Sequence, residues 1–92
     1  MPERTATIAS RSGLHARPAA IFAEAASEQP VEVTIAMPGA PADDALDAAS
    51  ILSLMTLGAA KGDVVVLRAE GDGADAALDS LVTLLETDLD AE

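Results

Sequence analysis

Val31-Glu32-Val33-Thr34-Ile35-Ala36-Met37 sets apolar side chains at every second position, with Glu32, Thr34 and Ala36 between them. That period of two belongs to a strand with one face on a core and the other towards water. A sheet covered on one side is therefore the frame of the fold. Pro38-Gly39-Ala40-Pro41 forces a turn directly after it. Ala42 to Leu46 reads as a returning edge strand, weakened by its Ala and Asp content.

On the N-terminal side, Ala16 to Ser27 is rich in alanine, with Ile21 and Phe22 followed four residues later by Ala25 and Ala26. This spacing predicts a helix with one apolar face. Ser10 to Leu14 reads as a loop, and Thr5 to Ala9, alternating around Ala6 and Ile8, as a first strand. On the C-terminal side, Ser50 to Leu57 has the spacing of a short helix, stopped by Gly58 at its C′ position. Val64 to Ala69 is a β-branched run suited to a well-buried strand. After Gly71-Asp72-Gly73, the residues Ala74, Ala77, Leu78, Leu81, Val82, Leu85 and Leu89 mark a last amphipathic helix. Asp88 to Glu92 place acid at its C-terminal end, which the helix dipole disfavours, so fraying is expected there.

The order βαββαβα predicts an α+β fold. It is an open-faced sandwich, a mostly antiparallel four-stranded sheet with three helices on one face. Residues 1–92 make one domain. Half the residues are apolar, chiefly Ala, Val and Leu, and Phe22 is the sole aromatic, so the core must be thin. Without cysteine there is no disulfide or thiolate chemistry. The start Met1-Pro2-Glu3-Arg4 has no basic segment followed by an apolar run, and no stretch is long enough to span a membrane. The expectation is a cytoplasmic monomer without membrane insertion. A net charge of −11 excludes a phosphate-backbone binder, so nucleic acid is not an expected partner. Yet Arg11 and Arg17 both flank the only histidine, His15.

The chemistry lies in Gly13-Leu14-His15-Ala16-Arg17-Pro18-Ala19. A helix starting near Ala16 leaves its first N–H groups without intrahelical partners. Pro18 suits that turn because it lacks such an N–H, although it lies later than the favoured first helical position and restricts Arg17. Gly13 lets the approaching backbone turn sharply. His15 then stands at the N-cap, with the N–H groups of Ala16 and Arg17 directed at whatever its ring carries. An anion there is favoured by those donors and by the positive end of the dipole. The same field disfavours imidazolium and keeps the ring nucleophilic. Arg17 adds a guanidinium fork suited to phosphate oxygens.

Gly13 to Ala19 resembles the active-site signature of HPr, the histidine-containing phosphocarrier family of the bacterial phosphoenolpyruvate-dependent sugar phosphotransferase system. Ser50-Ile51-Leu52-Ser53-Leu54-Met55-Thr56-Leu57-Gly58 resembles that family's second-helix motif, and the length and element order match as well. The resemblance implies that His15 receives a phosphoryl group on Nδ1 from phospho-enzyme I and delivers it to a sugar-specific enzyme IIA. The chain would be a carrier rather than an enzyme, without cofactor or metal. The resemblance also assigns partner docking to Ala16, Arg17, Ala20, Ile51, Leu52 and Met55. An alternative is service to a nitrogen-regulatory or dihydroxyacetone-kinase branch, which uses the same motif with another acceptor. A purely regulatory binding module is a third class, and the intact His15 and Arg17 count against it.

Two assignments stay open in the sequence. Leu54 is expected in the core, whereas helical spacing alone leaves Ile51, Leu52 and Met55 divided between core and exposed patch. Ser50 is a good N-cap. It also aligns with a serine that a regulatory kinase modifies in some relatives, although Ala49 stands where those often have lysine. The recognition helices carry Glu24, Ser27 and Ser53 where many relatives have lysines, so either the partners are less acidic there or docking relies more on apolar contact.

Overall fold

Val64–Ala69 is the strand on which the sheet is built, paired on both of its edges. In the computed structural model, which describes residues 2–10, 13, 16–39 and 45–87, the elements are β1 (Glu3–Thr7), α1 (Ala16–Ser27), β2 (Val33–Ala36), β3 (Leu46–Asp47), α2 (Ile51–Leu57), β4 (Val64–Ala69) and α3 (Ala74–Leu85). The sheet order is β1-β4-β2-β3, and all three pairings are antiparallel. The predicted βαββαβα sandwich is the observed one.

Register explains the two faces. Val33 pairs with Ala69, Ile35 with Leu67 and Ala6 with Val65, and all six are buried. This face meets the helices: α3 packs on β1 and β4, and α1 on α2 and α3. The row Glu3, Arg68, Thr34, Asp47 runs across the outer face, with Arg68 Nε 3.3 Å from Glu3 Oε1. The core is assembled from small pieces, as the composition requires. Phe22 is fully buried among Ile8, Leu54, Leu78 and Leu81, with Ala19, Ala23 and Ala26 of α1 closing the gaps. Each buried leucine contributes about 2 kcal/mol of transfer free energy.

Three strands differ from the sequence expectation: the one read over Val31–Met37 is paired only over Val33–Ala36, and Ala36, set with the water-facing positions, is buried. β1 runs over Glu3–Thr7 rather than Thr5–Ala9. Glu3 and Arg4 are polar but paired, opposite Arg68 and Leu67, while the Ile8 N–H leaves the ladder and donates to the Asp63 carbonyl at 2.9 Å. β3 is confined to Leu46–Asp47, and residues 42–44 of the strand expected over Ala42–Leu46 lie outside the described residues. α3, expected to run to Leu89, ends at Leu85 with Glu86 as its C-cap, where the Glu86 N–H turns back to the Val82 carbonyl, and the expected fraying of 88–92 falls outside the described residues. Among the described residues no helix is long and apolar enough to cross a membrane.

Candidate functional site

α1 begins at Ala16, so His15 adjoins the first helical residue; His15 itself, with Leu14, Arg11 and Ser12, lies outside the described residues. The helix starts here because Pro18 needs no N–H in its first turn and packs inward, fully buried beside Ala19. Arg17 is exposed and Ala20 is half-buried. The first turn contains no carboxylate. The positive end of the α1 dipole and a guanidinium therefore occupy one place with no acidic side chain of that turn opposing them.

The other cations are placed differently. Arg4 reaches from β1 to α3, with Nε 3.0 Å from Asp79 Oδ1 and the second terminal nitrogen 3.2 Å from Asp75 Oδ1. The hydrogen bond to Asp79 raises the Arg4 guanidinium above its ordinary pKa. Arg68 is paired with Glu3 on the sheet. Lys61, the remaining described cation, is exposed on the turn after α2.

α2 carries the second group of predicted residues. Ser50 has an extended backbone, and its Oγ accepts the Ser53 N–H at 3.2 Å, so it is an N-cap. Gly58 ends the helix at φ 70° in the left-handed region. Leu54 is fully buried, as expected. Ile51, Leu52 and Met55 are 44%, 78% and 42% exposed, which resolves the division that spacing left open. Positions three and four apart share a helix face, so these three form one apolar patch. α2 packs against α1, which brings the patch and the first group onto neighbouring helices.

One feature of the site was not predicted. Gly13 has φ +71°, its N–H donates to the Ser10 carbonyl at 2.9 Å, and its backbone lies against Ala59 and Ala60, just beyond α2. The glycine itself signals a turn, but no local pattern signals the distant segment it touches. Among the described residues one surface depression is lined by Glu32, Thr34, Arg68, Ala69 and Glu70, and another lies near Ala26, Pro30 and Asp47.

The model of the family described as "PTS HPr component phosphorylation site" matches residues 2–87. The phosphocarrier protein HPr of Haloferax volcanii is 45% identical over 85 residues, spanning 92% of this chain and 93% of that protein. Its counterpart in Streptomyces coelicolor is 43% identical over 91 residues, spanning 98% and 94%. Among solved structures, HPr-C-His from Thermoanaerobacter tengcongensis superposes with a TM-score of 0.84 at 38% identity, covering 100% of this chain and 99% of that one.

Proposed function

The chain belongs to the HPr family of phosphotransferase-system phosphocarriers, and from that premise we propose that His15 accepts a phosphoryl group from phospho-enzyme I and passes it to a sugar-specific enzyme IIA. The observation that carries this reading is the start of α1 at Ala16, immediately after His15. In the first step an imidazole nitrogen of His15, Nδ1 by resemblance, forms a P–N bond while the P–N bond on the donor breaks. In the second step the same exchange runs towards the acceptor. One bond type replaces another, so little energy is lost and the group remains transferable.

The N–H groups of Ala16 and Arg17 and the Arg17 guanidinium hold the phosphoryl oxygens by charge-assisted hydrogen bonds. Their hold must favour the passing transition state over the resting phosphohistidine, or the group would not leave. The patch of Ile51, Leu52 and Met55, with Ala16, Arg17 and Ala20, docks each partner in turn. Exposed apolar residues rimmed by polar ones suit that use. The protein acts in the cytoplasm as a cosubstrate that is regenerated each cycle.

Incubation with phosphoenolpyruvate, magnesium and enzyme I, followed by mass measurement, tests this. The wild type should gain one phosphate, labile in acid and stable in alkali. His15→Ala should gain none, and Arg17→Glu should be charged and discharged slowly at an unchanged thermal midpoint. Acid-labile phosphate on His15→Ala would refute the proposal. Offering sugar-type and nitrogen-type acceptors to the charged protein then identifies the branch, and preference for a nitrogen-type acceptor would refute the sugar assignment.

A further inference from the structure

Gly13 stands two residues before His15, and its backbone meets two conditions that only glycine satisfies together. Its φ of +71° disfavours any Cβ. A Cβ built there would also fall against the Ala59 carbonyl oxygen and 2.8 Å from the Ala60 Cα. Carbon–carbon contacts ordinarily lie at about 3.5–4.0 Å, so a methyl group would separate the two backbones by about 1 Å. Neither neighbour is the yielding end of a side chain.

The far side of this contact is itself held. The Ala60 N–H donates to Asp63 Oδ2 at 2.9 Å, and the Asp63 N–H donates to the Ala60 carbonyl at 2.9 Å. The Gly62 N–H donates to the Ile8 carbonyl at 2.8 Å, which ties the turn to the end of β1. Ala59 is fully buried. Only Leu14 and His15 separate Gly13 from Ala16, the first residue of α1. Gly13 is therefore held against a fixed turn, two residues before His15 in the sequence and three before the start of α1.

We infer that Gly13 is a positioning residue for phosphoryl transfer: seated without a side chain on the Ala59–Ala60 turn that Asp63 locks, it sets where His15 stands relative to α1. The inference rests on His15 being the phosphoryl acceptor. It also gives the segment after α2 a task apart from docking. Gly39 provides the control, since its φ is +83° but a Cβ there meets nothing within 4 Å and it lies outside the Ala59–Asp63 turn.

Transfer from enzyme I is measured with this protein as the varied substrate. In Gly13→Ala, kcat should fall about 100-fold, the cost of a displacement of about 1 Å, with KM within about twofold of wild type because docking lies elsewhere. Gly13→Asn should do no better, since asparagine tolerates positive φ but carries the same Cβ. Gly39→Ala should lower the thermal midpoint and keep kcat. Asp63→Ala should lower kcat in a folded protein, and Asp63→Asn, which retains an acceptor oxygen, should restore it. Wild-type kcat in folded Gly13→Ala, recovery in Gly13→Asn, or an equal loss in Gly39→Ala would each overturn the inference. Should Gly13→Ala fail to fold, the Asp63 pair decides, and wild-type kcat in Asp63→Ala overturns it. Absence of acid-labile phosphate on the wild type defeats the His15 reading instead.

Discussion

Leu78 in α3 and Leu52 in α2 are the same residue on two amphipathic helices, yet Leu78 is fully buried and Leu52 is 78% exposed. The helices around them differ in the same way. α3 buries Ala74, Ala77, Leu78, Leu81 and Leu85 against β1, β4 and α1, and its exposed positions are mainly Asp75, Asp79, Ser80 and Thr83. It is further clamped to β1 through Arg4. α2 buries Leu54 and leaves Ile51, Leu52 and Met55 in water. Apolar residues on a helix are thus divided here between the chain's own core and its surface. In the proposed function the exposed three, kept together on one short helix of a chain with a net charge of −11, serve as a contact surface. α3 holds the fold, and α2 is displayed by it.

The largest expected effect tests the buried half of this contrast. Leu78→Ala removes a fully buried side chain from the centre of α3 and should cost about 2–5 kcal/mol. For a domain of this size each kcal/mol lowers the thermal midpoint by about 4–8 °C. At a temperature where the variant is still folded, its phosphoryl transfer should match wild type. A loss of transfer in the folded variant would mean that α3 contributes more than a scaffold.

The exposed half is tested by Leu52→Ser. Stability should change by no more than about 0.5 kcal/mol, because little buried area is lost. The Michaelis constant for this protein with enzyme I should rise about tenfold, as for an anchor worth more than 1 kcal/mol at an interface, with the maximal rate unchanged. An unchanged Michaelis constant would move the docking surface off α2, and a large fall in stability would show that Leu52 has a packing role.

The contrast between the two helices was only half legible in the sequence. In α3 the apolar residues recur along one stripe with acids opposite, so spacing alone assigns the face. In Ile51-Leu52-Ser53-Leu54-Met55-Thr56-Leu57 apolar residues occupy most of about two turns; Leu54 reads as core, but only packing on α1 and β3 decides that Ile51, Leu52 and Met55 stay outside. The edge strands were blurred for a related reason. Glu3 and Arg4 lie in β1 because backbone pairing with β4 holds them there, and alternation cannot register residues fixed by cross-strand partners. The buried phase of that strand, Ala6 and then Ile8, was nevertheless read correctly. The site followed the same rule. His15, Ala16 and Arg17 are consecutive, so their chemistry is written locally, whereas the seat of Gly13 on Ala59 and Ala60 joins segments far apart in the chain.

The smallest expected effect sharpens the boundary between folding and docking at Ser50, which caps the displayed helix and borders its exposed residues. Ser50→Ala loses the hydrogen bond from the Ser53 N–H to Ser50 Oγ and should cost about 1 kcal/mol, while transfer proceeds normally. Ser50→Asp keeps a capping oxygen and adds a negative charge at the positive end of the α2 dipole, so stability should hold or rise slightly. That charge would sit beside Ile51 and Leu52, where partner binding must remove it from water. The Michaelis constant with enzyme I should therefore rise severalfold in Ser50→Asp, with the maximal rate little changed. The two substitutions are thus expected to separate stability from docking in opposite directions at one residue. Thermal melts and transfer kinetics across ionic strength measure both. If Ser50→Asp transfers as well as wild type at low salt, the N-terminal end of α2 is not part of the docking surface, and the exposure of Ile51 and Leu52 needs another cause.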